Sequence, residues 1–272
     1  MIGIIGFGRF GKLLSRYLSK DFKVFVYNRS CKETAIRDAG AQPVSFEQAC
    51  RQRIIILCIP ISLMRQTLKN IVPHLRREAL IMDVCSVKVY PVQWMREILP
   101  DTVSILPTHP MFGPDSAAES LLDRKIVLCR ERVSDPQYQR IVSYLRSKGL
   151  IVIETTPEDH DRQIALSLGL THFIGRGLEE FGAKELIIDT EGYKRLLHIL
   201  GVVTHDTWQL FEDMHHYNPY AEENRKAFIT AMKTIEEKLS LSSNHKDDAS
   251  FQKGRCNGWS PLENDLGPEG GD

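Results

Sequence analysis

The residues best able to do chemistry lie in one short stretch, Thr108-His109-Pro110-Met111-Phe112-Gly113-Pro114-Asp115-Ser116. His109 is framed by two prolines and a glycine; the prolines restrict the backbone, so its imidazole is held out rigidly and is not mere core filling. A neutral imidazole with an ordinary pKa of ~6.5 is suited to draw a proton from a hydroxyl at neutral pH. Asp83-Val84-Cys85-Ser86-Val87-Lys88 closes an earlier apolar run and brings the Ser86 hydroxyl to the same crevice. Lys88 reads either as the start of a helix or as a neighbour of that crevice. His160-Asp161 opens a helical stretch, and His172 follows 12 residues on, a little over three turns later and near the same face. This set suits acid–base work on a small polar molecule. No metal is expected: His215 and His216 are adjacent, so they diverge on a helix, and they read as surface residues.

A second constellation opens the chain. Gly6-Phe7-Gly8-Arg9-Phe10-Gly11 is a G-x-G-x-x-G placed directly after an apolar run and before a helical pattern. In that context the first glycine allows a tight turn and the second lets a pyrophosphate approach the backbone amides. The third lets the helix pack against the strand, and the helix N-terminus faces the diphosphate. These six residues, with Pro60 at the end of a later apolar run, are the expected dinucleotide contacts. The second run ends in Tyr27-Asn28-Arg29-Ser30. An acidic residue there would accept from a ribose 2′-hydroxyl; Asn28 cannot repel a 2′-phosphate, and Arg29 and Ser30 can bind one. NADP is therefore expected over NAD.

The elements that must position these groups follow from hydrophobic periodicity. Apolar runs recur at residues 2–5, 23–27, 54–59, 79–84, 103–106, 126–129 and 150–153, with helical spacing between several of them, as at 12–18 and 136–148. Continuous apolar strands separated by helices mark a parallel sheet covered on both faces. Residues 1–155 are thus expected to form a doubly wound, Rossmann-type α/β domain. From 156 to 240 the strand runs stop and helical patterns follow at 159–181, 193–200, 204–214 and 221–239, with His205-Asp206 read as a helix start. These helices carry more apolar face than one small bundle buries, so a homodimer through an all-helical domain is expected. Residues 241–272 are rich in Ser, Asn, Asp and Gly and read as a disordered tail.

Composition narrows the classes. At 272 residues the chain has room for one or two domains. Lys plus Arg and Asp plus Glu both number 35, so there is no basic excess for a nucleic-acid backbone. The longest apolar run, 54–64, is broken by Pro60 and Ser62 and falls well short of the ~20 residues of a membrane span. The chain opens straight into MIGIIGFG with no basic leader, and its six cysteines are scattered without a C-x-x-C pair. A cytoplasmic protein with free thiols is expected, Cys58 and Cys85 serving as packing residues.

In order, D-x-x-S-x-K, T-H-P-M-F-G-P-D-S and H-D…T-H-x-x-G-R make residues 1–240 resemble the prephenate/arogenate dehydrogenases of tyrosine biosynthesis, and M-F-G-P resembles the arogenate-type members. The resemblance implies NADP-dependent oxidative decarboxylation of a cyclohexadienol, arogenate or prephenate. It implies His109 as the base at the hydroxyl with Ser86 as its partner, His172 on the substrate side, Asp115 as an acidic residue that organises the cleft, and Asp161 ordering the hinge. Prephenate-specific members carry a T-R pair that grips the ring carboxylate. Here the segment 192–198 places His198 at that position, with Lys194, Arg195 and Arg176 as the other cations available. The rival readings are a β-hydroxyacid dehydrogenase or imine reductase, which shares the glycine loop, and a non-catalytic NADP-sensing dimer.

Overall fold

In the computed structural model, which describes residues 1–243, the chain begins with alternating strands and helices. These are β1 (Ile2–Ile5), α1 (Arg9–Leu18), β2 (Val24–Tyr27), α2 (Glu33–Asp38), β3 (Gln42–Pro43), α3 (Phe46–Cys50), β4 (Ile54–Leu57), α4 (Ile61–Ile71), β5 (Leu80–Asp83), α5 (Val89–Ile98) and β6 (Ser104–Ile105). The six strands pair in parallel in the order β3-β2-β1-β4-β5-β6, the doubly wound order expected of a dinucleotide-binding sheet. Strands such as IGII and IIIL are apolar throughout because helices cover both faces. On one face Ile55, Leu57 and Ile81 pack with Met64 and Leu68 of α4 and Met95 of α5. On the other, Ile2, Ile4, Val24 and Val26 pack with Leu18 and Ile36. The short β3 escapes a reading by periodicity, since two residues with a proline at the sheet edge carry no pattern.

The sheet ends at β6. The next elements are β7 (Thr108–Pro110), β8 (Lys125–Leu128), α6 (Asp135–Ser147) and β9 (Ile151–Glu154), and their strands form a separate three-stranded sheet. This differs from a single sheet running to residue 153. Only Leu106 and Pro107 separate β6 from β7, and a parallel return needs a crossover of a dozen residues or more. The chain therefore starts a new ladder, with β7 antiparallel to β8 and β8 parallel to β9.

The helical part follows as α7 (Pro157–Ile164), a π-helical turn (Ala165–Gly169), α8 (Leu170–Phe181), α9 (Glu191–Thr204), α10 (Trp208–His216) and α11 (Ala221–Ser243). The helical stretch expected over 159–181 thus contains a π turn, which breaks the simple 3.6-residue count between His160 and His172. His205-Asp206 does not start a helix. His205 ends α9, and Thr207 caps α10 by accepting from the Leu210 amide at 3.2 Å. Asp213 of α10 is buried and accepts from the Ser62 amide and hydroxyl, both at 3.0 Å, so it caps the first turn of α4. That bond docks the helical part on the sheet domain.

The chain divides into two compact units, residues 1–226 and 227–272. Within the second, the described residues belong to α11, and its Ile229, Met232, Ile235 and Leu239 are exposed. The tail expected over 241–272 lies, from residue 244, outside the described residues. Among the described residues no helix is long and apolar enough to cross a membrane.

Candidate active site

His109 sits on β7 and is buried. Its Nδ1 lies 2.9 Å from Nε2 of His160, and Nδ1 of His160 lies 2.7 Å from a carboxylate oxygen of Asp161. Asp161 is fully buried at the N-terminus of α5, where it accepts from the backbone amides of Lys88 at 2.7 Å and Val89 at 2.8 Å. The network assigns the protons. A carboxylate only accepts, so His160 donates from Nδ1 to Asp161. His160 Nε2 then accepts from Nδ1–H of His109, which leaves the lone pair of His109 on Nε2. Burial, and then the neighbouring His160 and Lys88, push the His109 pKa well below its ordinary value. The imidazole is thus a neutral acceptor with its other nitrogen fixed, at a lower pKa than the ~6.5 of a free histidine.

Beneath this relay, Lys88 is fully buried and forms an ion pair with the equally buried Asp83. Lys88 also donates to the carbonyl of Thr108 at 2.6 Å, and the Thr108 hydroxyl donates to the carbonyl of Asp83 at 2.5 Å. Both alternatives for Lys88 are thereby resolved into one role: it pins the residue before His109 to the end of β5. The Ser86 hydroxyl oxygen is buried and has no hydrogen-bond partner among the described residues. The direct hydrogen-bond partner of His109 is His160. Burial lifts the thiols of Cys58 and Cys85 well above their ordinary range, so both stay protonated, as packing residues do.

The glycine loop has the form its motif demands. Gly6 has φ +104°, and a Cβ there would lie 2.1 Å from the carbonyl of Cys58. A Cβ on Gly11 would meet the Gly6 carbonyl at 2.3 Å. At Gly8, which opens α1, a Cβ would meet nothing within 4 Å, and no side chain caps the helix. That open, uncapped and acid-free N-terminus is fit for a diphosphate. The rest of the expected cofactor set divides. Asn28 accepts from the Phe7 amide at 2.8 Å and donates to Ser30, so it holds the loop in shape. Phe7 is buried, and the Phe10 ring lies tilted against Phe112, centroids 6.1 Å apart. Arg29, Ser30 and Pro60 are exposed at the edge, and Lys32, absent from the expected set, reaches the Phe7 carbonyl at 3.2 Å.

Arg9 is engaged by protein groups. It clasps both oxygens of Asp115 at 2.6 and 2.8 Å and donates to the His205 carbonyl at 2.9 Å, with Asp206 3.6 Å away. Asp115 is thereby exposed and tied to the glycine loop, and Arg9 holds its carboxyl below the usual range. His172 is buried, with Asp206 3.9 Å from its Nε2 and its Nδ1 unpartnered among the described residues. Burial lowers its pKa. Arg176 donates to Glu179 at 2.7 Å and to the Asp206 carbonyl at 2.6 Å, against the faces of Trp208 and Phe211. Arg195 and His198 lie exposed on α9, and Lys194 pairs with Asp189 and Glu191; the structure does not bring these three to His109. His215 is buried between Phe173 and Phe211 and accepts from Arg225 at 2.9 Å, contrary to its reading as a surface residue, while His216 is exposed. Burial and the Arg225 charge push the His215 pKa down to about 4. Asp206 and the relay role of His160 were not legible in the sequence. The only signal for the second was the His160-Asp161 pair itself.

Residues 19–154 match the family described as prephenate dehydrogenase, nucleotide-binding domain, and residues 177–251 match a TYRAAT1-like C-terminal domain. Arogenate dehydrogenase 2, chloroplastic, of Arabidopsis thaliana is 32% identical over 248 residues, covering 88% of this chain and 69% of that protein. A probable arogenate/prephenate dehydrogenase of Methanocaldococcus jannaschii is 31% identical over 260 residues, covering 89% of this chain; the chain spans 56% of its length. The fold is shared with the crystal structure of prephenate dehydrogenase from A. aeolicus in complex with hydroxyphenyl propionate and NAD+, with a TM-score of 0.71 and 18% identity over 90% of this chain and 91% of that one. With a relay-held histidine beside an open glycine loop, and relatives at this level of identity, the chain belongs to the prephenate/arogenate dehydrogenase family.

Proposed function

We propose that this chain oxidatively decarboxylates arogenate, with prephenate as the lesser substrate, and that it prefers NADP. The observation that carries the reading is the His109–His160–Asp161 relay, which leaves one neutral imidazole nitrogen free to accept a proton. A nicotinamide nucleotide, when bound along Gly6–Gly11, supplies the hydride acceptor. His109 takes the proton of the ring hydroxyl as its carbon loses hydride. The ring carboxylate then leaves as carbon dioxide, and the proton returns to the phenol oxygen of tyrosine, or of 4-hydroxyphenylpyruvate from prephenate. The buried Ser86 hydroxyl, without a partner among the described residues, supports its reading as a second contact to the same substrate oxygen. Turnover assays with arogenate and then prephenate test the reading; no turnover of either leaves a nucleotide-binding protein without this activity.

For the cofactor, Arg29 stands exposed at the end of β2, with Ser30, which accepts from Asn28, and Lys32 beside it. One charge-assisted phosphate contact contributes ~1.5–3 kcal/mol, so kcat/KM should favour NADP+ at least about tenfold. Arg29→Ala should erase most of that margin. Equal use of both nucleotides by the unmutated protein refutes the preference.

For the substrate, arogenate carries a cationic amine where prephenate carries a carbonyl, so an acidic residue near that end favours arogenate. Asp115 and Asp206 meet at Arg9 on the His172 side. Asp115→Asn should lower kcat/KM for arogenate more than for prephenate; an equal loss on both makes Asp115 a clasp for Arg9 only. The ring carboxylate falls to Arg176 among the cations near His172, since Arg195 and His198 are exposed on α9.

The exposed apolar stripe of Ile229, Met232, Ile235 and Leu239 supports a homodimer through the helical part. Sedimentation at micromolar concentration should give a dimer, and Met232→Glu with Ile235→Glu should give a monomer. A monomeric unmutated protein removes the proposal.

A further inference from the structure

A groove of about 770 Å³ opens on the sheet domain, on the face away from the relay. Its walls are Leu14 and Leu18 of α1, Ile54 and Met82 of the sheet, and Ile141 and Leu145 of α6. The volume lies within the ~300–1,000 Å³ of small-molecule sites, and the largely apolar wall would bury an apolar body. Charge at the groove is one-sided. Arg53, Arg76, Arg77 and Arg140 all line it, and Glu78 is the only carboxylate that does. The four arginines are exposed, and none of their side chains has a hydrogen bond or ion pair with any described residue. Other arginines of the sheet domain are paired, Arg9 with Asp115, Arg96 with Glu131 and Arg132 with Asp101, so it is the clustering of four unpaired ones at one groove that sets this face apart.

The geometry points to a binding site for an anionic amphiphile, a molecule with one carboxylate or phosphate head and an unbranched apolar tail. Unpaired guanidiniums take such a head through two parallel hydrogen bonds. The tail lies against the apolar side chains Leu14, Leu18, Ile54, Met82, Ile141 and Leu145 between the sheet and α6. The groove is also adjacent to the chemistry. Thr108 and Pro110 line it, and His109 between them turns to the opposite side, to His160, because successive side chains of a strand alternate faces. A ligand in the groove therefore rests on both neighbours of the relay histidine.

Calorimetric titration of the full chain with dodecanoate, dodecyl phosphate and the neutral dodecanol, each below its aggregation limit, tests the site. One-to-one saturable binding of an anion is expected, with dodecanol at least about tenfold weaker. The tighter of the two anions identifies the head group as carboxylate or phosphate. Arg53→Glu with Arg140→Glu, both at exposed positions that leave the core untouched, should weaken the anion at least about tenfold and leave dodecanol unchanged. Leu145→Trp should fill the groove and remove binding of all three. Absence of saturable anion binding, dodecanol binding as tightly as the anions, or indifference to the double charge reversal overturns the proposal. None of these readouts depends on the dehydrogenase activity.

Discussion

Replacing His109 by Asn is expected to lower kcat by about 10²–10⁴-fold while nucleotide affinity stays within a factor of about two. The asparagine preserves a polar side chain of similar reach but has no titratable nitrogen to receive the hydroxyl proton. The proposed nucleotide contacts lie on the glycine loop and at the end of β2, so they should not be disturbed. The pH profile carries a second signature. His109 must be neutral to act, and burial, His160 and Lys88 all favour the neutral form. Activity should therefore fall as pH drops through a pKa lower than that of a free histidine, and the acid limb of kcat/KM should lie below pH ~6.5. Asp161→Asn weakens the acceptor that fixes the His160 proton and should lower kcat with little change in KM. A His109→Asn protein retaining a third of its activity, or an acid limb at or above pH 6.5 assigned to His109, would contradict the relay.

Lys88→Met is expected to destabilise the fold by about 3–5 kcal/mol, because it leaves the carboxylate of Asp83 buried without its counter-ion. The loss has three parts on the same atoms. The ion pair goes, the Thr108 carbonyl loses its donor at 2.6 Å, and β7 keeps only the direct Thr108–Asp83 bonds to the end of β5. Urea denaturation at neutral pH measures the change. Pairing Lys88→Met with Asp83→Leu should recover much of the stability, since an apolar pair removes the unpaired charge. Activity should not return with it, because the position of His109 depends on the same tie. A single variant within about 1 kcal/mol of the unmutated protein would show that water reaches Asp83 and that the pair is not a buried one.

Much of the site was legible along the chain, and the reason is local. The glycine loop is a contiguous segment, and the spacing alone marks Gly6 as the turn and Gly11 as the close contact of helix with strand. The His109 motif is likewise contiguous with a strand. The readings that changed concern side chains that choose between distant partners. Asp115, read as a cleft acid from its place beside the histidine motif, also clasps Arg9, 106 residues away, a contact the motif does not announce. Arg9, read as a nucleotide contact, is the other half of that clasp. His215 disappears into a pocket formed by Phe173, Phe211 and Arg225 that no local pattern marks.

The sequence by itself determined five of the six parallel strands, the glycine-loop helix and the family, because apolar runs, glycine spacing and short motifs are properties of neighbouring residues. The tertiary structure alone decided that β7 starts a second sheet, that His160 rather than Ser86 touches His109, and that Lys88 is a buried tie. Each of these joins residues 20 to 73 positions apart: Lys88 to Thr108, His109 to His160, and the Lys88 amide to Asp161. Buried polar groups must find partners, and which ones they find depends on which segments the packed core has brought together.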